Sequence, residues 1–431
     1  MALIRPRERD AVLQSLRAGV VPRIGQHLIQ VGRVHELRAL IEDIERIADR
    51  GSTFRLVIGE YGAGKTFFLN LVRSIALEKK LVTMNADLNP DRRLHASGGQ
   101  ARSLYAELTR NMATRTKPEG GALPGILEKF IAQAKSESEQ TGVSTDQIIR
   151  QNTQQLAEMV NGYDFADVVL AYWRGFEEGN EQLCSDAVRW MRGEFTTKTD
   201  ARAALGVRTI VDDASVYDQL KLLARFVRLA GFSGLLVCLD EMVNLYKLAN
   251  TQARASNYEQ ILRILNDSLQ GSTEGLGFVL GGTPEFLFDT RRGLYSYPAL
   301  QSRLAQNTFA RDGLADFSGP VLRLAALSPE DFQILLEKLR YVYAAGNSEN
   351  YLLPDEAIPA FMQHCNRRLG DNYFRTPRTT ITSFIDLLTV LDQNPHVKWT
   401  NLIEGLAVQP DKGGDADKAI EADDEFTTFK L

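Results

Sequence analysis

At 431 residues the chain exceeds a single domain of ordinary size, roughly 100–200 residues, which predicts two or three domains or one large domain with insertions. With 44% hydrophobic, 24% charged and 8% aromatic residues, it has enough apolar material for a core, which excludes a mostly disordered protein. The net charge of -5 is carried between 411 and 425, where seven acids face two lysines, so the rest is balanced and any nucleic-acid contact must come from a local patch. No run of about 18 apolar residues predicts a transmembrane helix, and the start, MALIRPRERD, lacks the apolar core of a signal peptide. Cys184, Cys238 and Cys365 stand far apart, which fits neither a disulfide framework nor a paired zinc set and predicts a reducing cytoplasm.

In chain order, residues 1–30 read as an N-terminal segment: a short helix and a Gly- and Pro-punctuated link. Leu37, Leu40, Ile41, Ile44 and Ile47 fall three or four apart and predict a helix over about 32–50, with Gly51 where a stop belongs. FRLVI (54–58) reads as a strand buried on both faces. A glycine loop, a helix to about Glu78 and a second strand, LVTMNA (81–86), complete a βαβ unit. From about 88 to 215 the text is polar and helical, with breaks at Gly120-Gly121, Gly142, Gly162 and Gly179. Strands follow at GLLVCLDE (234–241), LGFVLGG (276–282) and VLRLAAL (321–327), with a helix at about 256–270 between the first two. Residues 328–395 read as helical, opened by Ser328-Pro329-Glu330. The acidic segment within 396–431 reads as a disordered tail. The fold class expected is α/β: a nucleotide core over 31–327 with a parallel sheet, a helical insertion at about 88–215 and a helical lid at 328–395.

Gly59, Glu60, Tyr61, Gly62, Ala63, Gly64, Lys65 and Thr66 match G-x-x-x-x-G-K-[ST] without deviation. Glycines let the backbone curl so that successive N–H groups point at phosphates, and the helix that begins there adds its positive end. Lys65 would reach the β- and γ-phosphates of ATP, Thr66 would ligate Mg²⁺, and the cofactor-binding stretch runs on through Phe67. Asp240 and Glu241 close an apolar strand. In a parallel sheet they share an edge with the phosphate loop, where Asp240 would hold Mg²⁺ through water and Glu241 would orient or deprotonate the attacking water.

With these motifs the sequence resembles the AAA+ ATPases, and within them the BrxC/BrxD-type ATP-binding proteins of bacterial BREX phage-defence systems, the BrxD type above all. The stretches that carry the resemblance are VPRIGQHLIQVGR (21–33), GEYGAGKTFFLNLVR (59–73), GLLVCLDEMVNLY (234–246), GFVLGGTPEFLFDTRRGLYSYPALQSRL (277–304) and RTPR (375–378). By this resemblance Val31, Gly32 and Arg33 pack near adenine, and Thr283 is the polar sensor of the γ-phosphate. Asn85 either orients Glu241 or is an ordinary strand-end asparagine. Arg303 would serve a neighbouring subunit's nucleotide, with Arg291 and Arg292 as rivals, and Arg378 would be the lid's sensor arginine. The resemblance implies a homo-oligomer that acts on duplex DNA or on a helicase or other defence-system partner.

Asp240 lies 175 positions after Lys65, far more than a minimal core needs, so the 88–215 block reads as an insertion that carries a partner surface. It opens with Arg92, Arg93, Arg102, Arg110, Arg115 and Lys117 against one acid, Glu107. Arg367, Arg368, Arg375 and Arg378 accompany Tyr373 and Phe374 near the lid. Either group would track a phosphate backbone or be a solvated helix face. The five histidines show no ligand spacing, so no metal beyond Mg²⁺ is expected. Two functions stay open: a Mg²⁺-dependent ATPase, and a nucleotide-gated switch or scaffold with little turnover.

Overall fold

The structure is a computed structural model and describes residues 4–310, 316–370 and 377–406. The acidic tail beyond 406, and Tyr373, Phe374 and Arg375, lie outside the described residues. The chain divides into two compact units: one of residues 34–58 and 68–323, the other of 1–33, 59–67 and 324–431.

α1 (Pro6–Arg17) opens the second unit. α2 (Val34–Ala48) opens the first, and buries Leu37, Leu40, Ile44 and Ile47 as their spacing dictates. Five strands form the first unit's sheet: β1 (Ser52–Ile58), β2 (Val82–Asp87), β3 (Leu235–Asp240), β4 (Leu276–Gly282) and β5 (Val321–Arg323). Their order is β2-β3-β4-β1-β5 and every pairing is parallel. β3 and β4 are buried along their whole length, as expected of strands covered on both faces. The expected last strand, 321–327, pairs only as far as Arg323. Its sheet neighbour β1 ends at Ile58, so the ladder runs out of partner there.

α3 (Lys65–Glu78) starts inside the phosphate loop, and its later residues Phe68, Leu69, Leu71 and Val72 are buried. The polar block that follows folds as α4 (Gln100–Arg110), α5 (Leu123–Thr141), α6 (Thr145–Thr153), α7 (Gly162–Glu178), α8 (Glu181–Met191) and α9 (Lys198–Leu205). Gly142 and Gly179 close α5 and α7 in the left-handed conformation, φ 72° and 70°, whereas Gly162 begins α7 rather than breaking a helix. The block shares one core with the sheet. Phe130, Phe165 and Trp190 join Phe226 of α10 (Val216–Leu229) and the β2–β4 side chains in a single cluster. Ala113 even exchanges backbone hydrogen bonds with Thr83 of β2, at 3.0 and 2.8 Å. α11 (Val243–Tyr246), α12 (Thr251–Leu269), α13 (Pro284–Phe288) and α14 (Pro298–Arg303) complete the unit.

In the second unit, α15 (Pro329–Tyr343) begins with a capping box in which Ser328 and Asp331 satisfy each other's backbone N–H groups. α16 (Ala357–Leu369) and the helices Pro377–Gln393 and Trp399–Glu404 follow. Their core of Phe332, Leu336, Phe361, Phe384 and Leu388 also takes in Ile4, Val12 and Ile29 from the N-terminal segment. Among the described residues no helix is long and apolar enough to cross a membrane.

Candidate nucleotide site

Gly59 follows β1 directly, and Gly62 and Gly64 adopt φ 80° and 79°. Those left-handed turns are open to glycine at no steric cost and curl the loop toward its own amides. Gly59 has no room for a side chain: a Cβ there would sit 3.3 Å from those of Ala63 and Leu324. The Lys65 ammonium donates to the carbonyls of Gly59 and Glu60 at 2.8 and 2.9 Å, which holds it along the rim of the loop. Tyr61 is exposed, and Phe67 packs on the helical core of the same unit.

Arg33 belongs to this loop as well. Its guanidinium donates to the Ala63 carbonyl and, at 3.4 Å, to that of Ala325, and it lies 3.4 Å from where a Gly64 Cβ would be. Arg33 itself has φ 59°, an uncommon conformation for a side-chain-bearing residue. The segment before it is pinned to α15. Lys338 donates to the Gln30 carbonyl, Gly32 packs against the Asp331 carboxylate, and Val31 joins the helical core. Arg378 stacks its stem on Gly19, with Cδ 3.3 Å from the Cβ position.

In the sheet unit, β1 and β3 are parallel with β4 between them, so their C-terminal ends share one edge. Asp240 ends β3. Its carboxylate accepts from the Glu241 amide at 2.8 Å, and it fills the space a side chain at Gly281 would occupy, since a Cβ there would lie 2.4 Å from Oδ1. Glu241 has φ 58°. A non-glycine residue in that region costs on the order of 1–3 kcal/mol and marks a turn that the surroundings impose. Those surroundings are visible: Met242 donates to the Gly281 carbonyl at 3.0 Å, Leu88 donates to that of Asp240 at 3.0 Å, and the Asn244 side chain ties the Leu88 and Glu241 carbonyls at 2.8 and 3.2 Å.

β2 runs one residue further than its sequence suggests, to Asp87, which lies opposite Asp240. Asn85 lies opposite Cys238, two residues back from the strand end, and its carbonyl accepts from Asn111 at 2.9 Å. The Asp87 carboxyl is pushed above its ordinary value, first by desolvation and then by the neighbouring Asp240 charge, with Arg92 opposing. Sequence reasoning missed Asp87 because the strand's end could be fixed only by its pairing.

Thr283 directly follows β4, ahead of Pro284 in the first turn of α13. Its hydroxyl oxygen is buried, and among the described residues nothing hydrogen-bonds to it. Within the sheet unit the orphaned buried Thr283 hydroxyl and the Asp240 carboxylate stand at the same strand edge and fit a phosphate oxygen and its cation, and the left-handed glycines of the loop by themselves fit phosphates. The three rival arginines differ. Arg303 is exposed on α14 and donates within its own helix, to Ala299 at 3.0 Å. Arg291 is exposed in a turn organised by Asp289, which accepts from the Arg291 and Arg292 amides and the Tyr246 hydroxyl and is held below the usual carboxylate range by these bonds. Arg292 spends its guanidinium on the carbonyls of Tyr246 and Leu248 at 3.3 and 3.4 Å.

A parallel α/β sheet with a G-x-x-x-x-G-K-T loop after its first strand defines a P-loop NTPase-like protein. The chain belongs to the BREX system ATP-binding protein BrxC/D family, whose profile matches residues 4–406. No curated protein matches it.

Proposed function

We propose that this chain is a Mg²⁺-dependent ATPase of the AAA+ class and of the BrxD type, working in the cytoplasm as a homo-oligomer on duplex DNA or on a helicase or other defence-system partner. The observation that carries the enzymatic reading is Glu241: a carboxylate held in a strained turn, immediately after a strand-end aspartate whose own carboxylate is fixed by the main chain. A protein that only binds nucleotide needs no base there, and the switch or scaffold reading leaves this turn unexplained.

In this reading Gly59 to Phe67 and Arg33 hold the nucleotide, with Lys65 leaving its loop carbonyls for the terminal phosphates. Thr66 and Asp240 are the residues that would hold Mg²⁺, which when bound would neutralise charge on the phosphate oxygens. Glu241 orients and deprotonates water, and the Thr283 hydroxyl, without a partner among the described residues, donates to the γ-phosphate. Asn85 or Asp87 positions Glu241 from β2. The helices after 328 act as a lid that carries Arg378.

Nucleotide binding and steady-state turnover test this together. Lys65→Ala should lose ATP binding, whereas Glu241→Gln should keep it and slow hydrolysis by roughly 10²–10⁴-fold. Equal turnover by the wild type and Glu241→Gln would return the chain to the switch reading.

A further inference from the structure

We propose that the cleft between α4 and α8 is a second phosphate-binding site, independent of the phosphate loop, that takes the phosphates of a nucleic-acid backbone or of a free polyphosphate. The cleft has a volume of about 420 Å³, in the range of small-ligand sites, and its wall carries Arg92, Arg102, Arg110, Arg189, Glu107 and Glu194. Three of the arginines stand at or within the basic stretch at the start of the helical block. The fourth, Arg189, comes from α8 and had no sequence signal.

The arginines are held with different firmness. Arg189 is anchored, paired with Asp186 at 2.8 Å and lying 4.8 Å over the Phe195 ring. The others are held at longer range: Arg92 to Glu107 at 3.2 Å, Arg110 to Glu194 at 3.4 Å, and Arg102 only to the Phe195 carbonyl at 3.4 Å. Arg102 has no carboxylate partner among the described residues, so three of the cleft's four guanidiniums are paired, one of them to Asp186 outside the lining, and the fourth is not. Each guanidinium offers five N–H donors in a planar fork suited to phosphate, and these contacts use few of them. The N-terminal amides of α4 are not the anion donors, since Asp213 already accepts from Gly99 and Arg102 at 2.7 and 2.8 Å. The three remaining basic residues of the stretch are turned to other work: Arg93 donates to the Pro90 carbonyl at 3.1 Å, Arg115 pairs with Glu78 at 3.1 Å and Lys117 donates to the Gly121 carbonyl at 3.0 Å. No aromatic face lies open among the cleft's lining residues, so the chemistry recognised is phosphate, not base.

In this arrangement Glu107 and Glu194 compete with the ligand for Arg92 and Arg110, and that gives opposite signs to two variants. The test uses the full chain with two probes: a fluorescent DNA duplex read by anisotropy across a salt series, and tripolyphosphate read by calorimetry. Arg102→Gln with Arg110→Gln should weaken binding by about tenfold and reduce the duplex log-log salt slope by about 1.8, two lost phosphate contacts. Glu107→Gln with Glu194→Gln should tighten binding, a gain that a purely structural salt-bridge role would not produce. The phosphate loop is unaltered in every protein, so its own uptake of tripolyphosphate cancels in the comparison. Effects on the duplex identify a nucleic-acid backbone as the ligand, and effects confined to tripolyphosphate identify a free polyphosphate. Should the arginine variant fail to fold in a melting assay, the glutamate variant decides alone. Absence of its gain with both probes overturns the proposal.

Discussion

Asp240 and Gly281 are legible only as a pair. The aspartate stands out in the sequence because it follows an apolar strand, but Gly281 looks like one more small residue in LGFVLGG. Strand register brings them together, and the missing side chain at 281 is where the carboxylate sits. Gly281→Ala would place its Cβ 2.4 Å from Asp240 Oδ1 and 2.9 Å from Leu69 Cδ1, closer than either contact allows. The backbone there is ordinary strand, so the fold should survive with a loss of roughly 1–3 kcal/mol from overpacking. The carboxylate is the more easily moved neighbour, so Mg²⁺-dependent turnover should fall at least about tenfold while ATP binding persists. Mg²⁺ titrations of turnover, beside a thermal melt, check this. Turnover equal to wild type would detach Asp240 from metal binding. The same logic explains what the sequence concealed. Lys65 belongs to a contiguous motif that carries its meaning in its own letters. Asp87, Gly281 and the left-handed turn at Glu241 take theirs from neighbours on other strands.

At the scale of elements, β1 contains a charge that its reading as a two-faced buried strand leaves unexplained. Arg55 is buried and donates to the Asp43 carboxylate of α2 and to the carbonyls of Phe317 and Gly319. One guanidinium thereby fastens a helix, the strand that leads into the phosphate loop, and the segment that leads into β5. A signal did exist: Asp43 lies among Leu40, Ile44 and Ile47 on the apolar stripe of α2, where an unpaired acid would be costly. What it lacked was a visible partner, because the match to Arg55 spans two elements. Asp43→Ala leaves a buried guanidinium without its counter-charge and should cost about 3–5 kcal/mol. The double variant Asp43→Leu with Arg55→Met removes both charges and should recover a large part of that loss. Denaturant melts of the single and double variants measure the coupling. A single variant as stable as wild type would show the pair to be dispensable. Helix α2, by contrast, follows from its apolar spacing within two residues at either end, whereas α12 begins five residues before the expected 256 and the 88–215 block reads as helical without its separate helices. β5 was overextended because an apolar run does not report where its neighbour stops.

At the scale of the whole molecule, the family match spans both compact units, and the proposed assembly turns on which arginine one copy lends to another. Arg292 is the least suited: its guanidinium is engaged by two carbonyls of its own chain and lies over the Tyr246 ring, so Arg292→Ala should lower the melting temperature before it lowers turnover. Arg303 is exposed at the end of α14 and, among the described residues, donates only within its own helix, which leaves it available to a neighbour. If it completes a neighbour's site, Arg303→Ala should bind ATP normally yet lose turnover by on the order of 10³-fold, because a planar cation that neutralises transition-state charge has no local substitute. Lys65→Ala fails for the opposite reason: it can lend Arg303 but cannot hold nucleotide. Mixing the two inactive proteins should therefore restore part of the activity, through interfaces in which Arg303→Ala supplies the nucleotide and Lys65→Ala the arginine. The restored rate should rise more steeply than linearly with total protein, since it depends on assembly. A mixture no more active than its components would exclude Arg303 as the shared group, and the same mixing with Arg291→Ala would then test the remaining exposed candidate.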